Sequence, residues 1–186
     1  DGRAYLGITR GAWLDTIGVH PKREVAVLKE ALICIRHLLE QNTEALEGEF
    51  FPLVGGDSLR WDIEHADIPF QLGAWGPLTI KNCAHYVQEI KLGGSANPER
   101  VAWQRKKLNS FPAGDSIDIC VGAVTVIDDD GERARKLAKR EVALFLPVVA
   151  TFDKTLQIDE ELLNRIKSAA SVYDFERGAK DISDDL

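Results

Sequence analysis

The 186-residue sequence has no methionine, only three cysteines and few histidines. No apolar run approaches the roughly 20 residues that a membrane helix requires, so no membrane association is expected. The start carries no signal-peptide pattern. Cys34, Cys83 and Cys120 are an odd, scattered set, each inside an apolar stretch. That excludes a disulfide framework and points to a reducing compartment, the cytoplasm. The thiols read as small core residues. His20, His37, His65 and His85 show no metal-ligand spacing, so no metal site is expected. Basic residues are outnumbered, 23 against 30 acids, for a net charge of −7. This excludes a nucleic-acid surface but leaves room for one local cationic site. Neither a GxGxxG fingerprint nor a Walker A loop nor a GxSxG elbow occurs. With no initiator, the chain enters a strand almost at once after Asp1, which reads as a piece of a larger protein.

What is present is an alternation of strands and helices. The strand segments are Arg3–Ile8, "DIPFQLG" ending near Gly73, "QEIKLGG" and "SIDICVGAVTVI". Between them lie segments with helical periodicity. In "KREVAVLKEALICIRHLLEQ", Val25, Leu28, Leu32, Ile35 and Leu39 form one apolar stripe, with Pro21 expected in the first turn. Pro77 opens a second helix, and Asn97 followed by Pro98 caps and opens a third. The segment "DDDGERARKLAKREVALFL" gives a fourth, which Pro147 is expected to end or kink. Asp159 caps the next, and the polar tail "RGAKDISDDL" is expected to fray. Residues 44–66 read as a hairpin or excursion, and 151–186 as a C-terminal helical segment of a single domain, 1–186. Four strands joined by helical crossovers predict a parallel sheet.

Ligands of parallel α/β folds lie beyond the carboxyl ends of the strands. Three such ends are rich in glycine: "GITRGAW", "LGAWGP" and "LGGSANP". Arg10 in the first is either a bidentate phosphate ligand or a surface arginine paired with Asp15 or another carboxylate. Gly76 and Thr79 stand at a helix start, which is either an anion cradle or simply a regular helix N-terminus. Trp13 and Trp75, at matching places, are either walls for a flat ring or core filler. Gly93 and Gly94 allow a tight turn, and Ser95 offers a hydroxyl. The acids Asp128–Asp130 read as a solvated turn at a helix start rather than a metal site.

In order and spacing, "GRAYLGITRGAW", "IPFQLGAWGPLT", "QEIKLGGSANP" and "SIDICVGAVTVIDDDGERARKLAKREVALFL" resemble the fourth to seventh strands and following segments of the bacterial luciferase-like superfamily. These are flavin- and deazaflavin-dependent oxidoreductases. The resemblance covers nearly the whole chain. It implies a (β/α)8 TIM barrel, present here as a partial barrel of about four parallel βα units. It implies a flavin-type cofactor, FMN or the deazaflavin coenzyme F-420, and a small organic substrate. The "GGSANP" loop leans toward the methylenetetrahydromethanopterin-reductase branch, hence toward F-420. Cofactor-binding positions carry over to Arg10, Gly11, Trp13, Trp75, Gly76, Thr79, Gly93, Gly94 and Ser95. The family's usual catalytic histidine lies in an earlier strand, so no catalytic residue is assigned, and this stretch alone is expected to be inactive.

Two rivals stand beside that reading. One is a catalytically silent luciferase-like partner or remnant, acting as an interaction module. The other is a phosphate-ligand enzyme of a different barrel family. Four strands cannot close a barrel and leave two sheet edges open. Apolar side chains aimed at a barrel interior would each forfeit about 1.5–3 kcal/mol of burial. The isolated chain is therefore expected to aggregate or become partly molten unless it pairs, for instance as a homodimer.

Overall fold

In the computed structural model, residues 2–12 and 14–186 are described. Four strands, β1 (Leu6–Thr9), β2 (Phe70–Gly73), β3 (Glu89–Gly93) and β4 (Asp118–Gly122), form one sheet in the order β1-β2-β3-β4. β1 pairs with β2 and β2 with β3 in parallel, as the helical crossovers require. The helices are α1 (Glu24–Leu39), α2 (Pro77–Cys83), α3 (Pro98–Leu108), α4 (Gly131–Phe152), α5 (Glu160–Ala170) and α6 (Phe175–Ala179). The chain divides into two compact units, Asp1–Lys91 with Leu108–Cys120, and Leu92–Lys107 with Val121–Leu186.

The first unit builds its core on one face of the sheet. Phe70, Leu72 and Ile90 are buried there, with Leu28 and Leu32 of α1 and Ile80 and Cys83 of α2 among the other buried side chains. The register sets Gly7 beside Gln71 and Gln71 beside Glu89, then Thr9 beside Gly73 and Gly73 beside Lys91. Paired residues share a face, so the opposite face carries glycines and polar side chains. This corrects the expected loss of apolar burial: an open barrel interior costs these strands little, because they aim no large apolar side chain at it.

α1 begins later than the sequence predicts. Arg23, its N-cap, adopts a left-handed backbone (φ 56°), which leaves Pro21 outside the helix. That conformation is unfavourable for arginine, and the side chain is held by an ion pair to Glu49 and by the Phe50 ring, 5.4 Å away. Glu30 of α1 then fastens the 44–66 excursion. Its carboxylate accepts the backbone N–H of Phe50 at 2.7 Å, of Glu49 at 3.2 Å and of Phe51 at 3.3 Å. The Phe50 amide above all holds the Glu30 carboxyl below the usual carboxylate range. A side chain at Gly48 would meet the same carboxylate at 2.8 Å. Within the excursion, Leu46 and Leu53 form an antiparallel bridge. Arg36 donates to the carbonyls of Ala66 (2.7 Å) and Ile68 (2.9 Å), and its guanidinium lies 3.9 Å from the Phe70 ring centre. α1 thereby fixes the segment leading into β2.

The second unit packs α4, α5 and α6 around Ala143, Leu146, Ile166 and Ile182. Asp130 caps α4, accepting from the N–H of Glu132 (3.0 Å) and Arg133 (3.2 Å). Asp128 pairs with Arg133 at 2.7 Å, so the acidic run serves the helix start. Asp159 caps α5 through Leu162 N–H at 2.8 Å. Pro147 does not end α4, which runs five residues further, to Phe152. Its missing N–H deprives Ala143 O of a helical partner, yet Leu146 and Val149 on either side are buried, and that packing carries the helix across. β4 is shorter than the apolar run suggests. It stops at Gly122, and Ile127 is 94% exposed. The tail is not frayed: Asp174 caps α6, Ile182 is 3% exposed, and Asp184 takes Lys139 at 2.6 Å.

Candidate functional site

The site residues of the first unit lie just past the row Thr9, Gly73, Lys91. Thr9 Oγ1 donates to Gly73 O at 3.0 Å. A Cβ at Gly73 would stand 3.0 Å from Thr9 Cβ, so any side chain there would have to displace the threonine by a few tenths of an ångström. Arg10 follows Thr9 immediately. The next residue after Gly73 is Ala74, whose N–H bonds Lys91 O at 3.2 Å. The register thus brings Arg10 and the Ala74–Gly76 segment to one rim of the sheet.

At that rim, Arg10 Nη1 meets Glu24 Oε2, on the first residue of α1, at 2.5 Å. The Arg10 side chain is 45% exposed. Of the two readings open from the sequence, the structure shows the carboxylate-paired one, with Glu24 as the partner. Gly11 turns with φ +89°, and a side chain there would press on Leu14 at 3.0 Å. Trp13 lies outside the described residues. Trp75 is half-buried. Gly76 caps α2 with extended backbone (φ −76°, ψ 138°) and no side-chain cap bond. Its glycine is therefore not demanded by backbone conformation, and α2 opens without a side-chain acceptor for its first amides. Thr79, in the first turn, is buried.

Gly93, Gly94 and Ser95 belong to the second unit. Gly94 has φ +84°, and a Cβ would meet the Phe145 ring of α4 at 3.1 Å. Ser95 Oγ accepts Asn97 N–H at 3.2 Å. Asn97 caps α3 by accepting Glu99 N–H at 3.0 Å. Its amide nitrogen reaches Asp153 Oδ2 at 3.2 Å and Thr155 Oγ1 at 2.9 Å. Asp153 also accepts Thr155 Oγ1–H at 2.6 Å and Thr155 N–H at 3.0 Å, and is 2% exposed. Arg100 of α3 is buried nearby, donating to Gln104 Oε1 at 3.0 Å and Phe152 O at 3.4 Å. Burial pushes its guanidinium pKa down, and the Asp153 charge opposes that.

Sequence reasoning missed Glu24, Lys91, Asp153 and Thr155. Glu24 stands at a helix start like many acids, with no local sign of its pairing to Arg10. "DKT" after α4 is an Asx-turn pattern, the one signal that pointed to Asp153. Chemically, the first-unit rim carries a guanidinium paired with the Glu24 carboxylate, and α2 starts without a side-chain cap from its N-cap residue.

The family model described as "Luciferase-like monooxygenase" matches residues 1–186. Over 200 residues the chain is 26% identical to the 5,10-methylenetetrahydromethanopterin reductase of Archaeoglobus fulgidus, which covers 100% of this chain and 58% of that protein. Over 196 residues it is 26% identical to the Methanopyrus kandleri protein of the same name, covering 94% of this chain and 56% of that one. Among solved structures it matches the "coenzyme F420 dependent tetrahydromethanopterin reductase" of Methanopyrus kandleri, with TM-score 0.75 and 22% identity, over 99% of this chain and 59% of that chain. At that identity the likeness shows the fold alone: an α/β parallel sheet that matches part of a luciferase-like TIM barrel. The chain spans a little under three-fifths of the length of these relatives. The chain belongs to the luciferase-like monooxygenase family.

Proposed function

We propose that this chain is the cofactor-phosphate-binding part of a flavin- or deazaflavin-dependent oxidoreductase of luciferase-like type, and that the cofactor is coenzyme F-420 rather than FMN. The supporting observation is the position of Arg10, one residue beyond the in-register row Thr9, Gly73, Lys91. The names of the relatives support the deazaflavin choice. Arg10 neutralises the cofactor phosphate, exchanging Glu24 for a more highly charged partner. The amides at Gly76 and the Thr79 turn contribute donors, and Trp75 and Gly11 shape the wall. The bound cofactor supplies hydride chemistry toward a small organic substrate, while the protein orients it and excludes water. The named relatives act on a pterin, and a pterin-like substrate belongs to this proposal.

Spectral titration with F-420 and with FMN tests the reading. F-420 is expected to bind more tightly, and Arg10→Ala to weaken it by about tenfold to a hundredfold, as loss of one charge-assisted phosphate contact implies. Failure of both cofactors to bind removes the oxidoreductase reading and favours an interaction module.

A further inference from the structure

We propose that the groove between α4 and α6 is a docking surface for an acidic segment of another protein. The chain as a whole carries a net charge of −7, yet residues 131–140 hold five cations and one acid. The groove has a volume of about 500 Å³ and lies within the second unit. Arg135, Lys136, Lys139 and Lys180 line it, with Glu132 and Glu176. It shares no residue with the cofactor-binding positions assigned above. Its one apolar lining residue among those described is Ala179, so the surface selects by charge and not by apolar burial.

Close helix packing sets the shape. A Cβ at Gly178 of α6 would stand only 3.2 Å from Ala143 Cβ of α4, and Ala143 and Ala179 are buried. α6 therefore lies against α4 and holds Lys180 beside the α4 cations.

The groove already reads a carboxylate. Asp184, in the segment after α6, lies 2.6 Å from Lys139 Nζ and 3.3 Å from Arg135 Nη1. Arg135 and Lys139 are four residues apart, so one helix face presents both to a single acid. Glu176 is engaged by Arg140 at 3.7 Å. Glu132 stands in the first turn of α4, where the helix dipole favours an acid. Lys136 and Lys180 form no ion pair with any described residue. Two ammonium groups thus stand beside an existing carboxylate seat. A segment with several acids continues the contact that Asp184 begins, whereas a neutral or basic one leaves the cations without counter-charge. The source is a different protein rather than a second copy, because two chains of net charge −7 repel. The claim does not rest on the cofactor reading.

The probe is a rhodamine-labelled octapeptide of alternating Asp and Ser, blocked at both ends, titrated into the 186-residue chain by fluorescence anisotropy. Saturable binding is expected, weakening as salt rises, with the Asn counterpart of the peptide at least about tenfold weaker. Lys136→Gln with Lys180→Gln is expected to weaken binding about fivefold to tenfold. Asp184→Asn frees Arg135 and Lys139 and is expected to tighten binding about twofold to fivefold, a gain that a misfolded chain cannot give. Lys106→Gln with Lys107→Gln removes the same charge from α3 and is expected to change binding by less than about twofold, as is Arg10→Ala. No saturable binding, equal binding of the Asn peptide, an equal loss in the α3 pair or in Arg10→Ala, or an unchanged affinity in Asp184→Asn would each overturn the proposal. So would sedimentation equilibrium showing that the chain self-associates through Lys136 and Lys180, because the occupant would then be a second copy.

Discussion

Replacing Asp153 by alanine removes the acceptor on which two segments of the second unit converge. The carboxylate is 2% exposed and takes hydrogen bonds from Asn97 Nδ2, Thr155 Oγ1 and Thr155 N–H. Thr155 Oγ1–H and N–H both lose this acceptor, and the Asn97 amide nitrogen keeps its 2.9 Å bond to Thr155 Oγ1. A buried donor left unsatisfied costs about 1–3 kcal/mol, and bonds to a charged acceptor contribute at the upper end. Arg100 also loses an opposing charge that favours its ionised form. The sum is about 3–5 kcal/mol, a large fraction of the roughly 5–15 kcal/mol that holds a domain together. For a chain of this length that corresponds to a Tm lower by about 6–20 °C. Urea and thermal unfolding followed by circular dichroism measure it. Thr155→Val should lose about 1–2 kcal/mol, and the double variant should fall short of the sum by more than about 0.5 kcal/mol, because the two share bonds. A loss below about 1 kcal/mol for Asp153→Ala, or strict additivity, would refute the network as a stabilising unit.

Glu30 gives a pH prediction. Its carboxyl is held below the usual carboxylate range by the backbone N–H of Phe50 first, then of Glu49 and Phe51. A folded-state pKa below the unfolded one contributes stability that is present above the unfolded pKa and lost as pH falls through the folded pKa. Unfolding curves across the acid range should show this decline, and Glu30→Gln should flatten it; an unchanged acid profile would count against the clamp. Cys83 is fully buried, and desolvation raises its thiol to about 11. It should resist iodoacetamide near neutral pH until the first unit unfolds, and labelling at the rate of a free thiol would contradict that burial.

The order of elements was legible because it is written in local periodicity. The stripe from Val25 to Leu39, the caps Asn97 and Asp159, and the apolar strand runs act over a few residues and reappear in the structure. Pro147 misled because propensity speaks for one position, whereas burial of Leu146 and Val149 outweighs one missing helical hydrogen bond. The tail misled for the opposite reason: its composition is polar, but Ala179 and Ile182 are buried, and Asp184 is paired with Lys139.

The family, the parallel arrangement and the presence of Arg10 after the first strand were determined by the sequence itself, since each depends on residue type and spacing along the chain. Tertiary structure alone decided that Arg10 meets Glu24 fourteen residues later, and that Asn97 meets Asp153 across 56 positions. It also decided that the open face of β1 to β3 is polar, through a register in which one residue of slip would have reversed every side chain. Such pairings are chosen by which surfaces pack best in three dimensions, and no local pattern along the chain carries that choice.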